Sequence, residues 1–153
     1  MRGGTLTIRT RQNTSIQTTR PVHYYLAVKA LSPLQTTSSG SIAASALQAG
    51  RFAVTISSSG NVTLAGLQAD ALAVKLSSSG NLSIAGGEVK SQTVTISSSG
   101  NYAAGDVRSQ SADVRSSSSG RAILWVTEKL VAVLSSSGEV RYYGSPKVMK
   151  PGL

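Results

Sequence analysis

Residues 57–64 read SSSGNVTL, residues 77–84 read SSSGNLSI and residues 97–104 read SSSGNYAA. The glycine of this segment stands at Gly40, Gly60, Gly80, Gly100, Gly120 and Gly138, so the chain repeats itself every 20 residues four times and then once after 18. Aligned on that glycine, two apolar columns precede it. They are Val54, Val74, Val94 and Val114, then Ile56, Leu76 and Ile96 with Leu134 in the same place later. Two more follow it: Ile42, Val62, Leu82, Tyr102 and Val140, then Ala44, Leu64, Ile84, Ala104, Leu124 and Tyr142. Polar residues alternate with these positions, as Thr55 does between Val54 and Ile56, which is the period of a strand with one buried face.

A 20-residue unit holds two short strands and leaves no room for the crossover helix that ordinarily joins parallel strands. Identical units with identical apolar faces satisfy one another by stacking. The strands then pair in parallel at about 4.8 Å and the apolar columns close into internal ladders. The fold class is therefore all-β, a parallel β-helix of about 20-residue coils. It is expected to be right-handed, as crossover connections almost always are.

The Ser-Ser-Ser-Gly segment falls at the bend between strands. Ser58, Ser78, Ser98, Ser118 and Ser136 are expected to stack there as a hydroxyl ladder, with glycine supplying a backbone angle that a side chain resists. Asn61, Asn81 and Asn101 are expected to form an amide ladder. Residues 1–37 depart from the repeat. LTIRT and the alternating Val22, Tyr24, Leu26, Val28 and Ala30 predict flanking strands and first, irregular coils. The repeat covers 38–144, and 145–153, with Pro146, Pro151, Lys147 and Lys150, predict a cap that guards an open sheet edge. The whole, 1–153, is expected to be one domain. Trp125, in the shortened unit, is either core filler or an exposed contact, and core filler is the expectation.

Composition narrows the chemistry. Fifteen Lys and Arg against six Asp and Glu give a formal charge of +9, a balance that attracts polyanions. The basic residues are scattered and accompany no RNA-reading motif, so no specific nucleic acid is expected. There is no cysteine, hence no disulfide framework or thiolate metal site. No run of 18 apolar residues predicts a transmembrane segment, and MRGGTLTIRT carries no export signal.

The six acids share no column of the repeat. Glu88 and Asp106 fall within two positions of each other in adjacent units and could be read as a glycosidase-like pair, but solvated turn carboxylates are the expectation. His23 is the single histidine and is expected to be structural. No serine lies in a nucleophile-elbow context. No catalytic, metal or cofactor residues are therefore assigned. One outward column, Thr55, Lys75, Thr95 and Arg115, alternates hydroxyl and cation. That pattern suits the carboxylate or sulfate of an acidic glycan through charge-assisted bonds; the bland alternative is a solvated face.

GGTLTI near the start, VHYYLAVKALSPLQTTSSGSI, the serial SSSGN units and the closing GEVRYYGSPKV resemble the auto-transporter adhesin head GIN domain family of bacterial envelope proteins. The resemblance implies a single-domain right-handed β-helix of the cell envelope, exported behind a signal or lipoprotein peptide. It also implies further strands ahead of the position of Met1, so this chain is expected to lack the beginning of the family domain. The function expected is a non-enzymatic structural or adhesin-like module that meets an acidic glycan or an envelope protein. The alternatives are a carbohydrate-active enzyme on the same scaffold and a ligand-free assembly spacer.

Overall fold

A computed structural model describes residues 23–26, 34–36, 41–57 and 59–150, with main-chain pairing alone for 23–26. Among these residues all regular structure is β-strand. The short strands after each serine-glycine turn are β3 (Ser41–Ala44), β5 (Asn61–Leu64) and β7 (Asn81–Ile84), and the long strands that follow are β4 (Leu47–Ile56), β6 (Leu67–Leu76) and β8 (Gly87–Ile96). β9 (Asn101–Ser116) and β10 (Arg121–Leu134) each run through both places of a coil. β1 (His23–Leu26) and β2 (Leu34–Thr36) form the first coil, β11 (Glu139–Tyr143) and β12 (Lys147–Met149) the last.

Every pairing is parallel, in the order β1-β3-β5-β7-β9 for short segments and β2-β4-β6-β8-β9 for long ones, with β10 pairing β9, β11 and β12. The registers step by 20, as in Asn61↔Asn81 and Val54↔Val74. This is the expected β-solenoid. Within the long strands the pairing skips Gly50, Asp70, Lys90 and Gln110, which mark a corner of the coil.

The columns read from the sequence are the core: Val54, Val74, Val94 and Val114, and Ile56, Leu76 and Ile96, are all buried. A further ladder, Phe52, Leu72, Gln92, Ala112 and Leu130, is equally buried. Its glutamine hides it from a search for apolar columns. At the far end the inward columns run out, so Leu134 and Tyr142 are exposed. Residues 147–149, expected as part of a cap, pair with β10 through Lys129↔Lys147, so the coil continues through them. The predicted strand LTIRT and residues 22, 28 and 30 lie outside the described residues.

The serine turn works differently from expectation. Gly60, Gly80, Gly100 and Gly120 are the buried residues, whereas Ser78, Ser98 and Ser118 are half-buried and Ser136 is exposed; Ser58 lies outside the described residues. Hydroxyls of Ser57, Ser97 and Ser135 donate instead to carbonyls of the preceding coil, Thr36, Leu76 and Ser116, at 3.4–3.5 Å. Nor does the repeat glycine serve a left-handed backbone, for among the described glycines positive φ occurs at Gly87 and Gly144. The constraint is closeness. A Cβ on Gly100 would lie 2.8 Å from the Gly80 carbonyl oxygen, and one on Gly120 would meet Ile96 Cγ2 and lie 2.9 Å from the Ser98 oxygen. Main-chain bonds cross the turn on both sides, Ser97 N–H to Leu76 O at 2.9 Å and Asn101 N–H to Gly80 O at 3.2 Å, which holds successive turns together.

The asparagine ladder is present. Asn81 Nδ2 donates to Asn61 Oδ1 and Asn101 Nδ2 to Asn81 Oδ1, both at 2.8 Å.

Gly120→Ala should therefore cost about 1–3 kcal/mol by overpacking. Gly50→Ala, whose Cβ would meet nothing within 4 Å, should be neutral or stabilising by up to about 1 kcal/mol. Urea unfolding followed by circular dichroism measures both; equal effects at the two positions would refute the close-approach explanation.

Candidate functional site

The outward column forms as read. Thr55 pairs with Lys75, Lys75 with Thr95 and Thr95 with Arg115, so the four side chains stand on consecutive rungs. Lys75 and Arg115 are exposed, Thr55 and Thr95 half-exposed. Two rungs put the cations about 9.6 Å apart along the stack. Arg115 Nε lies 3.3 Å from Asp113 Oδ1 in the neighbouring outward column. An exposed pair of this kind is worth little, so it leaves the guanidinium available to another anion.

The carboxylates are dispersed. Glu88 pairs in register with Arg108 and lines a depression with Gln68, Asp70 and Lys90, while Asp106 lines a different one. The two are not brought to one site. Asp70 lies 3.2 Å from Lys90 Nζ. Glu139 accepts from Arg141 and, at 2.9 Å, from Arg121. Its carboxyl is held below the usual range, first by the Arg141 hydrogen bond and then by the charges of both arginines. His23 stands at the start of β1, and its side chain lies outside the described residues.

The shortened unit produces the most irregular part of the surface. After Leu124↔Ala104 the next pair is Trp125↔Arg108, so Gly105, Asp106 and Val107 have no register partner on β10. Later β10 sets Thr127 and Glu128 against Gln110 alone. Three residues lost and one gained make a coil of 18, and the loss leaves a step in the wall of the solenoid. Trp125 is on its outer side, half-buried, rather than in the core where the sequence placed it. Its indole carries the Arg108 guanidinium at 4.9 Å. Tyr143, the rung above Trp125, is 60% exposed. The resulting cleft of about 730 Å³ is lined by Ser83, Ala103, Gly105, Asp106, Trp125 and Tyr143 among others.

A buried polar relay, not foreseen in the sequence, holds this step from behind. Tyr102 OH donates to Gln92 Oε1 at 2.7 Å and Gln92 Nε2 donates to Ser109 Oγ at 2.8 Å. Ser109 Oγ in turn donates to the Trp125 carbonyl at 2.7 Å. Each donor finds an acceptor, the condition for burying such groups at low cost. The relay ends on the main chain of Trp125, where the register breaks.

A family described as "Putative auto-transporter adhesin, head GIN domain" matches residues 1–146. No curated protein and no solved structure matches the chain.

Burial raises the Tyr102 phenol far above its ordinary value. A raised folded-state value gives stability that is whole below the unfolded tyrosine pKa of about 10 and is lost as pH rises beyond it. The urea midpoint should fall above about pH 10. Tyr102→Phe should flatten that slope while lowering stability at neutral pH by about 1–3 kcal/mol, since it strips Gln92 Oε1 of its donor. An unchanged alkaline slope in the variant would show that Tyr102 does not set it.

Proposed function

The chain belongs to the auto-transporter adhesin head GIN domain family, and from that premise we propose that it is an adhesin-like head at the cell envelope that binds an acidic glycan without acting chemically on it. The supporting observation is the register of Thr55, Lys75, Thr95 and Arg115 on consecutive parallel rungs. Backbone hydrogen bonds fix the spacing of their main chain, so the face is preorganised at that level and only the side chains are ordered on binding. A linear polyanion laid along the solenoid axis meets a hydroxyl, a cation, a hydroxyl and a cation in turn. Carboxylate or sulfate groups can be met by charge-assisted bonds from Lys75 and Arg115, with the threonine hydroxyls filling the intervals. The excess of cations over acids adds a long-range attraction for the same targets.

The absence of chemistry is inferred from where the acids sit. Asp70, Asp113 and Glu139 each lie beside a lysine or arginine, and Glu88 and Asp106 line separate depressions. Glycoside hydrolysis ordinarily needs two carboxyl groups flanking one bond.

Binding to immobilised acidic polysaccharide, such as polygalacturonate or a sulfated galactan, should be strong at low salt and weaken as salt is raised. The double variant Lys75→Glu, Arg115→Glu should bind about 100-fold less tightly, the product of two charge reversals at about tenfold each. Equal binding by the variant would move the ligand to another face. Release of new reducing or unsaturated ends from the polysaccharide would overturn the non-enzymatic reading.

A further inference from the structure

We infer that the step left by the 18-residue coil is a second binding site, which takes a neutral hexopyranose unit of a glycan through the exposed ring of Tyr143 and the carboxylate of Asp106. This rests on the adhesin reading for the class of ligand, but it concerns a different part of the molecule from the Thr55–Arg115 column.

Four observations carry it. The cleft's volume, about 730 Å³, falls within the range of small-ligand sites, and it exists because Gly105, Asp106 and Val107 have no partner on the next coil. Small groups line it: Ser83, Ala85 and Ala103 leave space for a flat ring. A Cβ on Gly105 would lie 3.0 Å from Tyr143 Cε2, so the missing side chain is what makes room for the edge of the phenol ring. Finally, Asp106 is exposed and, among the described residues, is in no ion pair, unlike Asp70, Asp113 and Glu139.

The chemistry of this set selects its ligand. A pyranose presents apolar C–H groups on its faces and hydroxyls around its rim. The C–H groups meet the electron-rich face of an aromatic ring, and the hydroxyls donate to a carboxylate in bonds stronger than those to a neutral acceptor. Tyr143 and Asp106 supply both at one cleft. Trp125 forms its fixed wall, because Arg108 covers the indole and the Tyr102–Gln92–Ser109 relay holds the Trp125 main chain. An acidic sugar is disfavoured here, since Asp106 would oppose it.

Trp125 is the single tryptophan, so its fluorescence reports on this cleft alone. The full chain is titrated with neutral gluco-, manno- and galacto-configured hexose oligosaccharides, and separately with polygalacturonate. At least one neutral oligosaccharide should change the Trp125 emission saturably. Tyr143→Ala and Asp106→Asn, at exposed positions and with melting checked against the parent, should each weaken that binding about tenfold or more. Lys75→Glu, Arg115→Glu should leave it unchanged. No response to any neutral oligosaccharide, or a Tyr143→Ala variant that binds as the parent does, overturns the inference. Polygalacturonate binding that is lost in the double charge variant, with no neutral oligosaccharide changing the Trp125 emission, would leave the acidic-glycan face standing while the cleft falls. A saturable neutral-oligosaccharide response that Tyr143→Ala abolishes, with polygalacturonate bound equally by the parent and the double charge variant, would leave the cleft standing while the acidic-glycan face falls.

Discussion

Main-chain contact between successive Ser-Ser-Gly turns sets the geometry of this molecule. At Gly100 and Gly120 a neighbouring carbonyl stands where a side chain would begin, so the turns stack at the same spacing as the strands. Where the turns lie that close, each strand meets the one below in register, and the side chains of one column repeat at a fixed interval. The Val54 and Ile56 ladders and the asparagine ladder all follow from that.

A regular solenoid has flat walls, and flat walls make poor pockets. The interest of the 18-residue unit lies in how little it takes to break that regularity. Removing three residues against Gly105–Val107 and adding one opposite Gln110 restores the register by Lys129, so the coils above and below remain parallel. Between those two points the backbone departs from its neighbour, and the core there is polar. Gln92, Ser109 and Tyr102 stand where other coils place purely apolar side chains, and they satisfy one another in a single direction that ends on the Trp125 carbonyl. An apolar core could not supply the donor that the displaced Trp125 carbonyl requires.

The charges divide along similar lines. Several acids stand against a basic residue of a nearby strand or rung, and the Glu139 carboxylate between Arg121 and Arg141 is the tightest case. Of the charged residues on regular faces, Lys75 and Arg115 are aligned by register, whereas the acid at the irregular step, Asp106, is left by itself. On these proposals a polyanion would be met by a regular face and a neutral sugar by the irregular step, and the two would not compete.

The sequence by itself determined the solenoid, its coil length, four of its inward columns, the asparagine ladder and the alignment of Thr55, Lys75, Thr95 and Arg115. All of these depend only on period and alternation, which the chain displays openly. It did not show the Phe52 column, whose pattern Gln92 interrupts, or the true reason for the turn glycine, because a close approach involves a residue 20 positions away. Nor did it show that Trp125 faces outward. An 18-residue unit can lose its two residues at any corner, and each choice sends the indole to a different side. Only the pairing of Trp125 with Arg108 fixes that choice, because the corner is decided by which main-chain groups find partners across the stack rather than by any residue taken alone.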